Sequence, residues 1–142
     1  AVIMPCLDEA RTVGVCVSKA LATFRRLGVR GEVVVVDNGS TDGSREIAEQ
    51  AGARVVREER RGYGSALMRG AEEARAPFLI MADADDSYDL TDLDRFIAGL
   101  RAGIDIVMGS RRRGTILPGA MPWHHRWIGN PVLSGLLNLL FR

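Results

Sequence analysis

The 142-residue chain has two cysteines, two histidines, a single lysine (Lys19) and only 6% aromatic residues. Cys6 and Cys16 lie outside any CxxC pair and are too few for a disulfide framework. They read as reduced, buried thiols of a cytosolic protein. No stretch reaches the roughly 18 apolar residues of a membrane span, and no secretory leader is visible. The first predicted strand runs into Pro5-Cys6-Leu7-Asp8-Glu9, a turn without glycine, which excludes a GxGxxG dinucleotide site. Acidic residues are absent after Asp105. Residues 1–110 therefore carry a net charge of −4, and residues 111–142, with five arginines and no acid, carry +5. Such a tail either faces something anionic or is simply a solvated surface. What is present, 46% hydrophobic and 26% charged residues, suits one globular domain that buries a core unaided.

Apolar runs alternate with amphipathic stretches. Val2-Ile3-Met4 predicts a short first strand. Val13, Val17, Ala20, Leu21 and Phe24 predict a helix over 9–27, with Asp8 as its cap and Gly28 as its end. Val33–Val36 is a β-branched run apolar on both faces, as in a buried parallel strand. A helix over 43–51, a strand at 54–56, a helix over 65–74 and a strand at 78–82 follow. Leu93, Phe96, Ile97 and Leu100 mark a helix capped by Thr91 or Asp92, and residues 104–108 predict a fifth strand. This order implies a mainly parallel sheet between two layers of helices. Residues 110–122 read as a loop. Residues 123–142 read as two helical pieces, the second restarted by Asn130-Pro131 and carrying Leu133, Leu136, Leu137 and Leu140 on one face. The chain begins inside a predicted strand and stops inside a predicted helix, so a piece of a longer protein is expected. Residues 1–110 are expected to form the core domain and 111–142 a basic loop and helical tail.

Ligands of open parallel sheets bind beyond the carboxyl ends of the strands, and the informative residues fall there. Asp83, Asp85, Asp86 and Asp89 place four carboxylates within seven residues. Either a hard cation such as Mg²⁺ or Mn²⁺ compensates them, or they are solvated turn and cap residues. Asp37 is delivered to the same rim by four valines, where it suits a nucleoside or an Asx turn before Asn38-Gly39. Gly62-Tyr63-Gly64 leads into a helix, where a backbone approaches an anion closely. Arg60 and Arg61 are within reach of a diphosphate. Asp83-Ala84-Asp85-Asp86-Ser87 also fits a phosphatase DxDx[ST] pattern with Asp83 as nucleophile. That family places the pattern after its first core strand and has a later lysine, whereas here it follows the fourth and Lys19 precedes it.

Taken in order, Val2-Ile3-Met4-Pro5 with Asp8-Glu9, Val36 to Asp42, Gly62 to Ala66 and Asp83 to Asp86 resemble the signature of family 2 glycosyltransferases. The likeness is nearest to the dolichol-phosphate mannose and glucose synthase branch. The resemblance implies a GT-A fold, a Rossmann-like α/β/α sandwich that binds a nucleotide sugar. It implies that Pro5, Glu9, Asp37, Gly62 and Gly64 line the nucleotide. Asp83 would face ribose or sugar, Asp85 would hold Mg²⁺ or Mn²⁺, and Arg61 and Arg111 would meet the diphosphate. Asp83 and Asp85 would be the catalytic pair. Ser87 stands where the mannose synthases often carry a metal-binding glutamine.

The implied reaction is inverting transfer of a hexose from a UDP-glucose or GDP-mannose type of donor. Direct displacement ordinarily needs a base, and His124 and His125 are poor candidates for it. A polyprenyl or dolichyl phosphate acceptor is already anionic and needs none. Trp123, Trp127, the leucine face and Arg111–Arg113 with Arg126 then suit a membrane surface bearing anionic lipid, on its cytoplasmic side. The same leucines equally suit packing on the sheet or on a further segment. No nucleic-acid partner is expected. The alternatives are a nucleotide-binding fragment without catalysis and, behind it, a DxD-type phosphatase.

Overall fold

The structure, a computed structural model, describes residues 1–109 and 128–141. Strands β1 (Val2–Cys6), β2 (Val33–Asp37), β3 (Arg54–Arg57) and β4 (Ile80–Met81) form a parallel sheet in the order β3-β2-β1-β4. Helices α1 (Val13–Arg26), α2 (Ser44–Gln50), α3 (Tyr63–Glu73) and α4 (Asp94–Arg101) alternate with the strands, and α5 (Asn130–Leu140) follows. Two compact units result, Ala1–Val107 and Met108–Arg142.

Alternation along β1 and β2 divides the core of the first unit. Val2, Met4 and Cys6, with Val33 and Val35, face α1, α2 and α4 through Val13, Val17, Ala20, Ala48, Leu93 and Ile97. Ile3, Val34 and Val36 face the opposite way, onto Ala66 and Leu67 of α3. Both sheet faces are therefore covered, which is why Val33–Val36 can be apolar without alternation. Each fully buried valine contributes roughly 1.5–3 kcal/mol of transfer free energy. Helix α3 lies close on its face because Gly70 has no side chain. A Cβ there would clash with Ile3 Cγ2 and stand 3.0 Å from Val36 Cγ2.

Several local expectations are corrected. Residues 104–108 form no strand, and Ile104, Ile106 and Met108 are exposed. A strand needs a neighbour's backbone, and among the described residues β4, at an edge of the sheet, itself pairs with β1 through just two residues. Helix α1 begins at Val13 behind Thr12, with no side-chain cap. Asp8 is held across the rim instead, where its Oδ1 accepts from Thr41 N at 2.8 Å. Neither Thr91 nor Asp92 caps α4, whose N-cap is Leu93. Gly28 does end α1, with φ +60°. Cys6 and Cys16 are buried and unpaired. The leucine helix is present as α5 with Pro131 in its first turn and Gly129, not Asn130, at its N-cap. Its Leu133, Leu136, Leu137 and Leu140 are exposed. No helix among the described residues is long and apolar enough to cross a membrane. The expected loop over 110–122 and helical piece from Trp123 to Arg126 lie outside the described residues.

Candidate active site

The parallel register brings the strand ends to one rim. Cys6 stands opposite Asp37, and Asp37 opposite Arg57. Short polar side chains then tie the loop after β1 to the loop after β2. Ser40 Oγ accepts from Asp8 N at 3.0 Å, Ser44 Oγ accepts from Glu9 N at 2.8 Å, and Asp42 Oδ2 accepts from Ala10 N at 2.9 Å. Ser44 is fully buried and donates its hydroxyl to Asp42 Oδ1. These bonds hold Asp42 below the usual carboxylate range, the Ser44 hydroxyl foremost. Asp8 sits at φ +57° inside this network, a conformation that aspartate tolerates better than most residues. Asp37 is 5% exposed, and its Oδ1 accepts from Ser40 N at 2.9 Å. That is the Asx-type turn its sequence suits, and no described residue donates to Oδ2. Pro5 sits beside Val36 in the register, and Glu9 Oε2 accepts from Thr12 Oγ1 at 3.1 Å.

The residue that sequence reasoning missed is Asn38. It is 6% exposed. Its Nδ2 donates to Glu58 O and Arg60 O, each at 2.9 Å, and its Oδ1 accepts from Gly62 N at 2.7 Å. Two carbonyl partners demand the amide nitrogen and an N–H demands the oxygen, so the orientation is unambiguous. This one side chain shapes the loop from β3 to α3. Its partners lie 20 to 24 residues away, so nothing local in Asn38-Gly39 marks it as more than a turn. The loop carries Arg61 over the β2 turn, where a Cβ on Gly39 would lie 3.6 Å from Arg61 Nη2. It ends at Gly62, whose φ of +135° sets the N-cap of α3, with open space around Gly64.

In the acidic loop after β4, Ala82 and Ala84 are buried while Asp83 is half-buried and Asp85 exposed. Alternation thus turns both aspartates away from the core. The four carboxylates then part by partner. Asp86, at φ +61°, is gripped by Lys19 Nζ at 2.7 and 2.9 Å. Asp89 accepts from the Thr91 hydroxyl at 2.6 Å and its backbone N at 2.9 Å. Asp83 Oδ1 accepts from Tyr63 Oη at 2.8 Å. Burial, and then Asp83, push the Tyr63 hydroxyl up to about 12, so it remains a donor. Among the described residues Asp85 is held only by its own loop, accepting from Ser87 N at 2.9 Å. The hydrogen bonds from Ser87 keep it below the usual range, hence ionised.

No group of three or more histidine, cysteine or acidic side chains among the described residues could by itself hold a metal. The donor set fits Mg²⁺ or Mn²⁺ of the kind held by one or two carboxylates and completed by substrate phosphates and water. The structure thus sets Pro5 beside Val36, ties Glu9 through Ser44 to the loop after Asp37, joins that loop through Asn38 to the segment carrying Arg61, Gly62 and Gly64, and links Tyr63 of the same segment to Asp83. Arg111 lies outside the described residues.

The chain is 39% identical over 142 residues to the low-salt glycan biosynthesis hexosyltransferase Agl6 of Haloferax volcanii, covering 99% of this chain and 34% of that protein. It is 37% identical over 143 residues to the dolichyl-phosphate hexose transferase of the same organism, covering 99% and 58%. The chain therefore spans only part of each. Among solved structures, glucosyl-3-phosphoglycerate synthase from Mycobacterium tuberculosis, crystallised with Mn²⁺, UDP-glucose and phosphoglyceric acid, superposes with a TM-score of 0.50. It is 30% identical and covers 58% of this chain and 32% of that one. The fold is accordingly the Rossmann-like α/β type of the GT-A glycosyltransferases. Residues 1–141 match the family profile "Glycosyl transferase family 2", and on that match the chain belongs to glycosyl transferase family 2.

Proposed function

We propose that this chain is the donor-binding part of an inverting hexosyltransferase that uses a UDP-glucose or GDP-mannose type of donor and delivers to polyprenyl or dolichyl phosphate. The observation that carries the reading is the sorting of the acidic loop. Among the described residues, three of its four carboxylates are engaged by side chains outside the Asp83–Ser87 turn, whereas Asp85, exposed and held below the usual carboxylate range, bonds only within that turn. Asp85 would hold Mg²⁺ or Mn²⁺, which when bound supplies Lewis-acid stabilisation of the departing diphosphate. Asp37 would take the nucleoside, with Pro5 and Glu9 beside it, and Asp83 the ribose or sugar hydroxyls. Gly62 and Gly64 let the start of α3 approach the nucleotide, and Arg61 with Arg111 offers guanidinium donors to the diphosphate.

The acceptor reading draws on the relative named a dolichyl-phosphate hexose transferase. A phosphate oxygen is anionic at neutral pH, so direct displacement at the anomeric carbon proceeds without a protein base. The exposed leucines of α5, with the basic segment 111–126, would lie in a membrane interface on its cytoplasmic side. In this arrangement residues 1–110 bind the donor and 111–142 face the acceptor.

Titration of UDP and of GDP, each with and without Mn²⁺, tests the donor half. One nucleotide binds at least ten-fold tighter with Mn²⁺, and Asp85→Ala removes the difference. Equal affinity with and without metal refutes the role of Asp85.

A further inference from the structure

We propose that Tyr63 is a positioning residue that keeps Asp83 from acting as a second metal ligand. The inference rests on the reading that Asp85 is the ligand, and adds what enforces it. Asp83 and Asp85 are two apart, and the buried alanines at 82 and 84 turn both side chains outward. Two like-charged carboxylates on one side of a short turn form a natural bidentate site for a hard cation, since sharing the cation relieves their repulsion. The hydroxyl of Tyr63 intervenes. It donates to Asp83 Oδ1 at 2.8 Å, and it comes from the first residue of α3, an element on the opposite face of the sheet from α1 and α4.

A phenol is rigid, so the bond fixes where Asp83 lies and takes up a lone pair that a cation would otherwise use. The neighbouring acids cannot take over. Asp86 is occupied by Lys19 and Asp89 by Thr91. Asp83 is thereby reserved for hydroxyl groups of the donor, which a carboxylate accepts from without displacing the tyrosine. The cation is left to Asp85 and must complete its shell with phosphate oxygens. Metal binding is then coupled to nucleotide binding: the site is poor for the free ion and good for the ion with its diphosphate.

The test uses Mn²⁺ alone, with the free ion followed by electron paramagnetic resonance. Tyr63→Phe keeps the ring and removes only the hydroxyl. It is expected to bind Mn²⁺ at least three-fold tighter than the unsubstituted chain. The Tyr63→Phe/Asp83→Asn double variant is expected to return to the original affinity. A gain of this kind is not produced by structural damage, which lowers affinity. Unchanged or weaker Mn²⁺ binding by Tyr63→Phe overturns the proposal, as does a gain that survives in the double variant. If Asp85→Ala binds Mn²⁺ in the presence of UDP and of GDP as tightly as the unsubstituted chain does, the underlying reading of Asp85 fails, whatever Tyr63→Phe does.

Discussion

Asn38 offers the sharpest test of how the rim is built. Its carboxamide makes three hydrogen bonds, to Glu58 O, Arg60 O and Gly62 N. Each such bond is worth about 0.5–1.5 kcal/mol net, and more where the partner is left buried and unpaired. Asn38→Ala removes all three and is expected to cost roughly 2–4 kcal/mol. For a chain of this size that lowers Tm by on the order of 10 °C. Asn38→Asp nearly preserves volume but sets a carboxylate oxygen against two carbonyl oxygens, and is expected to cost at least as much at pH 7. The aspartate version carries its own signature. Its folded-state pKa is raised, because the protonated form can donate to one carbonyl. The deficit therefore shrinks as pH falls through that raised value. Thermal melts at several pH values measure this. Trypsin digestion after Arg60 and Arg61 reports the loop directly and should quicken in both variants. An Asn38→Asp chain as stable as the original at pH 7, or a deficit that grows on acidification, refutes the clasp.

Gly70→Ala should destabilise, although alanine is the better helix former by about 1 kcal/mol. The added methyl enters the space of Ile3 and Val36, and overpacking of that kind costs roughly 1–3 kcal/mol; urea unfolding showing a gain would refute the packing of α3. At the opposite end of the sheet, Glu32 is held low chiefly by the Arg54 hydrogen bond and is bonded also by Arg75 N. A depressed folded pKa gives stability that is full above the ordinary glutamate value of 4.5 and lost as pH falls through the folded value. Glu32→Gln should therefore flatten the fall of Tm below that pH, and parallel Tm curves for the two chains would count against it.

Much of the rim was legible before the fold was known. Val33–Val36 announces a strand buried on both faces, and a carboxylate placed after it must emerge at the carboxyl end. The same logic placed Asp83 and Gly62. Elements with long periodic faces, α1 and α5, were found with their starts misplaced, that of α1 because Asp8 had a rim partner to prefer over capping. The fifth strand failed for a different reason. Residues 104–108 have the composition of a strand, but composition supplies no neighbouring backbone. Asn38 was hidden because its meaning lies in carbonyls on another loop.

The sequence by itself determined the family, the parallel alternation of strand and helix, and the rim on which Asp37, Gly62, Asp83 and Asp85 stand. These follow from periodicity and from the order of short motifs, both written locally in the chain. Tertiary structure alone decided which of those groups remain free. Lys19 reaches Asp86 across 67 residues, Asn38 grips the loop before α3, and Tyr63 meets Asp83 across 20. A carboxylate's identity is local, but its availability depends on which donors the fold brings within 3 Å, and the sequence pattern does not encode that distance.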